Sequence, residues 1–409
     1  MNRVVVTGMG IISPLGNTIP DFWEGVKSGE NGISKISSFD TSNYPVHIAG
    51  QANINLSSYL DHKSINKIDR FTAFSLIASD QAIKDSKINL ETIDQSRSGV
   101  IIGSGIGGML TFEEQHSRLL KSPRRVSPFF IPAMIPDIAS GYVSLKYGFK
   151  GVNYAVVSAC ASSSHSIGDA FRNIKHGYSD IIIAGGAESG ITPMAIAGFS
   201  NMKALTKNTD YNSASKPFDL NRSGFVIGEG AGILVLESLE HALKRKAKIY
   251  AEIKGFGASA DAHHITSPHP DGSGAIQAMK TALDEANLNI EDINYINAHG
   301  TSTKHNDYIE TKAIKSVFGD YSRKLFVSST KSMVGHLLGA SGALEAITSI
   351  LSIKKSIITP TINYTDPDPE CDLNYVPNES INQVVENTLS NSFGFGGHNS
   401  VLAISKYSK

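Results

Sequence analysis

The sequence predicts an α/β protein, on two observations. Short runs of β-branched residues alternate along the chain with amphipathic stretches and Gly-containing turns, and one strand–turn–helix pattern occurs twice. The runs are RVVVTG, SGVIIGSG, NYAVVSA, DIIIAGG and AGILVLES, then KIYAEIKGFG, INYINAHG, KLFVSST and SVLAISK. Continuous apolar runs of this length suit strands covered on both faces. A helix follows Cys160, because Ile167, Ala170, Phe171 and Ile174 fall at i, i+3, i+4 and i+7 and Gly177 supplies a stop. The repeated pattern is NYAVVSACASSSHSIGDAFRNI and KLFVSSTKSMVGHLLGASGALEAITSI, each running from a strand through a polar turn into a small-residue helix. Two equivalent halves, residues 1–250 and 251–409, are the expected organisation. The Pro- and Asp-rich TPTINYTDPDPECDLNYVP reads as a surface loop.

A chain of 409 residues with 41% hydrophobic content can bury a large core. Lys and Arg (37) nearly balance Asp and Glu (38), which argues against general binding to nucleic acid or an anionic membrane. The two cysteines, Cys160 and Cys371, lie far apart, and a chain this large needs no disulfide staple, so both thiols are expected free in a reducing compartment. The N-terminal MNRVVVTGMGIISPLG lacks a signal-peptide pattern and no run is long enough to cross a bilayer, so the expectation is a soluble cytoplasmic protein.

A thiol at the start of a helix meets the positive end of the helix dipole and free N–H groups, which stabilise thiolate and make a nucleophile near neutral pH. Ala159, Ala161 and Ser162 beside Cys160 leave room for a bulky substrate. An inert core cysteine is the commoner fate of a free thiol, and position alone does not separate the two. Two further stretches end predicted strands in polar residues: INAHGTSTKHND with His299, Thr301 and Thr303, and STKSMVGHLLGASGALEA with Lys331, His336 and Glu345. Such junctions are where α/β folds expose reactive groups. NSFGFGGHNS offers a Gly-rich turn whose N–H groups suit an oxyanion. Gly103, Gly105 and Gly108 fit GxGxxG, but no acidic strand end follows at the distance a ribose needs, so a nicotinamide or flavin is not expected. Asp261, His263, His264 and His269 in DAHHITSPH match no zinc spacing and read as a solvated loop.

Taken together, VVVTGMGIISPLGN, GSGIGG, PRRVSPFFIP, SACASSSH, AGGAES, KPFD with NRSGFVIGEGAG, NAHGTST, STKSMVGHLLGASGALE and NSFGFGGHN run in order along essentially the whole chain. In these residues the chain resembles the β-ketoacyl-acyl-carrier-protein synthases, condensing enzymes of the thiolase-like superfamily, and among them the type II synthases of bacterial fatty-acid elongation. The resemblance implies a thiolase-like αβαβα five-layer sandwich of two duplicated halves, the first carrying the nucleophile and the second the histidine pair and a Gly-rich gating loop. It implies Cys160 as nucleophile, His299 and His336 as the pair that stabilises an enolate, and Lys331 held near them by Glu345. Asp307 and Glu310 fall beneath the site, with Tyr308 between them where many relatives have Lys. Thr301 and Thr303 match threonines that bind the pantetheine arm, Phe395 the residue that swings to admit malonyl, and Ile106 and Phe199 the acyl-pocket positions. The backbone N–H groups of Cys160 and Phe395 match the oxyanion hole.

The implied reaction is decarboxylative Claisen condensation of malonyl-acyl-carrier-protein with a Cys-bound acyl chain. No metal and no resident cofactor is implied: 4'-phosphopantetheine arrives on the carrier protein, and a structural monovalent cation near the C-terminal turn is left open. Acyl carrier protein is acidic, so the pocket mouth needs a basic patch, for which Lys63, Lys67, Arg70, Arg124, Arg125 and Lys203 match the family positions. A homodimer is implied. A thiolase would need a second cysteine in the C-terminal Gly-rich turn, which here reads FGFGGHN, and a non-catalytic chain-length partner would lack Cys160. A ketosynthase of a specialised polyketide or aryl-polyene pathway would keep every catalytic residue and differ in the acyl pocket.

Overall fold

The strands and helices fall into two sets of like topology. The computed structural model describes residues 1–408, and its main sheet has ten strands among them, five from each part of the chain. The first five are β1 (Val4–Ile12), β2 (Ser98–Gly103), β3 (Asn153–Tyr154), β4 (Ile181–Ser189) and β5 (Glu229–Ser238), and the second five are β6 (Ala251–Ala260), β7 (Tyr295–Asn297), β8 (Phe326–Ser328), β9 (Asn387–Gly394) and β10 (His398–Ser405). In space the first set runs β3-β2-β4-β5-β1 and the second β8-β7-β9-β10-β6. In each set the first three strands pair parallel, the fourth pairs antiparallel on both sides, and so the two sets share one topology. A short antiparallel pairing of Val4–Val6 with Ala251–Ile253 joins them.

Helices complete five layers. α1 (Arg70–Ser86) and α2 (Ile138–Tyr147) cover the outer face of the first strand set; α3 (Ser162–Lys175) and α6 (Ser341–Lys355) pack on each other between the sets; α4 (Ser273–Ala286) and α5 (Lys304–Phe318) cover the outer face of the second. The duplication reaches single residues. A Cβ on Gly8 or Gly10 of β1 would lie 2.2 or 1.9 Å from the carbonyl oxygen of Ala82 or Ala78 in α1, and one on Gly255 or Gly257 of β6 would lie 2.2 or 1.8 Å from that of Ala282 or Ala278 in α4. Each outer helix therefore rests directly on strand backbone, which only glycine permits. Inside, Ile167, Ala170, Phe171 and Ile174, the apolar face read from the sequence, join Ile347 and Ile350 of α6 in a fully buried cluster.

All nine expected runs contribute strands. The tenth, β9, was not expected, because NTLSNSFG lacks an apolar run; yet Leu389, Ser390, Asn391 and Ser392 are all buried. The Pro- and Asp-rich segment is not a simple surface loop either. Cys371 and Tyr375 are buried, and Asp368 pairs with buried Arg222 at 2.5 Å. No helix of the described residues is long and apolar enough to cross a membrane.

Candidate active site

Cys160 is the middle residue of a 3-10 turn, Ala159–Ala161, that leads directly into α3. Ala159 takes φ 50°, a left-handed conformation that turns the chain sharply and sets the thiol at the helix mouth. The repeat keeps this device: Leu338 takes φ 48°, Leu338–Ala340 forms the turn and α6 follows, so Gly339 stands where the first half has Cys160. The expectation of a thiolate near neutral pH is not met. Burial pushes the Cys160 thiol up to about 12, although Lys331 and the backbone N–H groups of Phe395 and Cys160 pull the other way. Desolvation outweighs the helix start.

His299 follows the end of β7 and His336 lies between Val334 and the turn that starts α6; their ring centroids are 5.4 Å apart with the planes nearly perpendicular. Both are buried, and burial with the nearby Lys331 charge holds both well below the usual imidazole range. Neutral rings have one donor and one acceptor nitrogen. Lys331 Nζ lies 3.4 Å from Nδ1 of His299 and donates to the His299 carbonyl at 2.6 Å, which assigns the ring proton of His299 to Nε2. Nδ1 of His336 lies 2.9 Å from Ser341 Oγ. Lys331 is itself buried and pairs with Glu345, a pairing without which neither charge would be tolerated there. Oε2 of Glu345 and Oδ1 of Asn297 and Asn391, on the adjoining α6, β7 and β9, are buried without a protein partner. Such oxygens are the donors that a hard monovalent cation takes.

Two buried carboxylates on α5 shape the strand exit beneath His299. Glu310 accepts the N–H groups of His299 and Gly300, each at 2.8 Å, and Asn391 Nδ2 at 3.1 Å; burial pushes its carboxyl up to about 7. Asp307 accepts the N–H groups of Thr301 (3.0 Å), Ser302 (3.1 Å) and Phe218 (2.8 Å), and lies 3.7 Å from the Arg222 guanidinium. The strand-end histidine and threonines are thereby fixed by backbone bonds from one helix, while Tyr308 between the two acids is half-buried. Thr301 and Thr303 share a hydroxyl hydrogen bond of 2.9 Å.

These groups meet in one cavity of about 430 Å³. Cys160, His299, His336, Thr301, Thr303 and Phe395 line it, as do Ile106 and Phe199. Ile106 and Phe199 pack against an apolar cluster of Cys160, Ile191, Ile196, Leu205, Phe225, Ile227 and Leu338 that extends from the thiol. At the mouth, Gly396 and Gly397 take φ 87° and 76°, values open to glycine. The His-rich loop is not merely solvated. Its residues Asp261, Thr266, Ser267 and Pro268 line the cavity, Gly396 donates to the Ile265 carbonyl at 2.6 Å, and Asp261 donates to the Gly397 carbonyl at 2.9 Å; His263 and His264 face outward.

Of the six basic residues, Lys203 is exposed and lines the cavity mouth, and Lys63, Arg124 and Arg125 are exposed. Lys67 lies 4.9 Å over the Phe129 ring. Arg70 is a correction: it is committed inward, binding buried Glu229 at 2.9 Å and the Ala52 carbonyl at 2.9 Å, so it is a structural cation rather than a free surface charge.

Residues missed by sequence reasoning include Ser341, Phe393, whose ring lies 5.7 Å from that of His299, and Glu188. Only Glu188 left a signal: an acid directly after the apolar run IIIAGGA.

The chain matches "Beta-ketoacyl synthase, N-terminal domain" over residues 1–242 and "Beta-ketoacyl synthase, C-terminal domain" over residues 250–365. It is 53% identical over 407 residues to a Staphylococcus aureus protein named 3-oxoacyl-(acyl-carrier-protein) synthase 2, covering 99% of this chain and 98% of that one. It is 50% identical over 408 residues to a Synechocystis protein of the same name, again covering 99% and 98%. A β-ketoacyl synthase from Burkholderia phymatum superposes with TM-score 0.93 at 36% identity, covering all of both chains. A ketosynthase solved in complex with a type II polyketide acyl-carrier protein superposes with TM-score 0.93 at 34% identity, covering 99% of this chain and 100% of that one.

Proposed function

This chain belongs to the β-ketoacyl synthase family, and on that premise we propose that it is a condensing acyltransferase of fatty-acid elongation whose reaction is carried by Cys160, His299 and His336. The single observation that carries the residue roles is the meeting of one thiol and two neutral, nearly perpendicular imidazoles in one largely apolar cavity. Cys160 Sγ attacks the acyl thioester on the carrier protein's pantetheine; the sulfur–carbon bond to the enzyme forms, and the thiol proton ends on the departing pantetheine sulfur. Malonyl-acyl-carrier-protein then loses carbon dioxide, and the electron pair of the broken C–C bond becomes an enolate. Nε2–H of His299 and the free ring nitrogen of His336 face that oxygen. A neutral imidazole donates a hydrogen bond yet is too weak an acid to quench the carbanion. The enolate carbon attacks the acyl-enzyme, the N–H groups of Cys160 and Phe395 take the developing oxyanion, and the Cys160 thiolate leaves and is reprotonated. One such donor contributes roughly 3 kcal/mol in comparable acyl-transfer sites.

Thr301 and Thr303 orient the pantetheine arm, Ile106 and Phe199 wall the acyl chain, and the loop around Phe395 gates malonyl entry. Lys331, with Glu345, keeps the histidines neutral; Asp307 and Glu310 hold the strand exit. Where a monovalent cation binds, the free oxygens of Asn297, Glu345 and Asn391 would hold it. The partners are acyl- and malonyl-loaded carrier protein, docking on Lys63, Lys67, Arg124, Arg125 and Lys203, and a second copy of the chain; the compartment is the cytoplasm. The fatty-acid reading is preferred over a specialised polyketide one because identity is 53% to the Staphylococcus aureus synthase against 34% to the polyketide ketosynthase.

The test mixes purified protein with malonyl-acyl-carrier-protein and a panel of acyl-acyl-carrier-proteins and weighs the products. Species longer by two carbons are expected, and none with any primer would refute the reading. Cys160→Gln is expected to abolish elongation while malonyl decarboxylation stays detectable; loss of both would show that the thiol does more than carry the acyl group.

A further inference from the structure

The catalytic scheme leaves one buried carboxylate unused. Glu188, at the end of β4, is fully buried and has no cationic partner among the ion pairs of the described residues. Four donors converge on it instead. Oε1 accepts Ser104 Oγ at 2.9 Å and the Ile106 N–H at 3.2 Å, and Oε2 accepts the Gly105 N–H at 2.6 Å and the Gly339 N–H at 2.9 Å. Ser104 Oγ already accepts the Gly107 N–H at 3.0 Å, so its proton points to Glu188. Burial pushes the Glu188 carboxyl up while these four hydrogen bonds pull it down, and with donors only around it the geometry fits the carboxylate form.

What the carboxylate joins is specific. Ser104–Ile106 is the turn after β2, in the first half, and it ends on the acyl-pocket residue Ile106. Gly339 belongs to the second half, next to the left-handed Leu338, another wall of the same cavity. A methyl on Gly190 would lie 3.2 Å from Leu338 Cδ1 and 3.7 Å from Ile106 Cδ1, so the two side chains converge over that glycine. The fit excludes anything larger: a Cβ on Gly339 would lie 2.2 Å from the Gly105 nitrogen and 2.7 Å from Glu188 Oε2. Gly339 is also the repeat's counterpart of Cys160. In the first half the N–H at this position faces the cavity as part of the proposed oxyanion hole; in the second an internal carboxylate occupies the corresponding donor.

We propose that Glu188 is a positioning residue for acyl-chain selection: its carboxylate ties the Ile106 turn of one half to the Leu338–Gly339 turn of the other and so fixes the passage beside Cys160 through which a long acyl chain runs. This rests on the condensing activity proposed above. A chain long enough to pass Ile106 needs both walls in place, whereas a short primer does not reach them. A wall that must be ordered on binding costs affinity.

The test measures kcat/KM for one short and one long acyl-acyl-carrier-protein, together with malonyl decarboxylation, for wild type, Glu188→Gln and Ser104→Ala. Glu188→Gln replaces one acceptor oxygen by an NH2 that faces donors, so the long-to-short ratio should fall about ten-fold, the scale of one hydrogen bond to a charged group. Malonyl decarboxylation, which needs no acyl chain, should fall much less. Ser104→Ala removes a single donor and should move the ratio the same way by a smaller factor. If Glu188→Gln does not fold, Ser104→Ala decides. A ratio within two-fold of wild type or higher, or a parallel fall of both primers and of decarboxylation, would overturn the inference. Absence of elongation by wild type would instead refute the condensing activity on which it rests.

Discussion

At Cys160 two effects oppose each other. The turn at the mouth of α3 offers N–H groups to the sulfur, and Lys331 adds positive charge, but loss of water around the thiol dominates and leaves it near 12. Alkylation of Cys160 by iodoacetamide should therefore rise about ten-fold per pH unit from pH 7 to 9; a plateau near pH 8 in the rate of adduct formation would show that the helix start and Lys331 outweigh desolvation instead. The histidines carry the opposite sign. Donating to the enolate without protonating it requires the neutral form, which exists above the pKa, and burial with Lys331 holds both well below the usual imidazole range. Malonyl decarboxylation is expected to stay flat from pH 8 down to pH 6 when carbon dioxide release is followed; a half-loss near pH 6.5 would place a normally titrating imidazole in the step. These residues were identifiable in the sequence by type and neighbours. Their ionisation was not, because burial is a property of the surrounding fold.

The elements that carry the site are set by close approach of backbone. β1 and β6 meet their covering helices through Gly10 and Gly257, where a Cβ would fall 1.9 and 1.8 Å from a helix carbonyl. Gly10→Ala and Gly257→Ala should each destabilise by about 1–3 kcal/mol, the usual cost of overpacking a tight core, and calorimetry should show a lowered Tm for both. Retention of the wild-type Tm by either would mean that the helix can shift away from the strand without loss. β9 is the element that sequence reading missed. Its Ser and Asn side chains point into the protein, where Asn391 serves Glu310 and Ser400 of the neighbouring β10 bonds Ser164. A strand whose buried Ser and Asn side chains are covered only by distant segments has no local signature.

For the whole molecule, the near balance of charge (37 basic and 38 acidic residues) makes any attraction to an acidic carrier protein local. Lys203 is exposed at the cavity mouth, whereas Arg70 is tied to buried Glu229. Lys203→Glu should raise KM for acyl-acyl-carrier-protein several-fold with kcat little changed and weaken the salt dependence of that KM. Arg70→Ala, in contrast, should lower Tm by stranding Glu229. If Arg70→Ala changed KM alone, the pair would be a surface feature after all. The α/β class, the duplication, the nine apolar runs and the candidate residues Cys160, His299, His336 and Lys331 are legible in the sequence, because local period and residue chemistry act over a few neighbours. Packing between distant segments adds that burial pushes the thiol pKa up, that Arg70 is tied to buried Glu229, that the His-rich loop lines one side of the cavity and that Glu188 accepts N–H groups from both halves. Each of those depends on which groups from distant segments exclude water or supply a partner, and no run of residues states that.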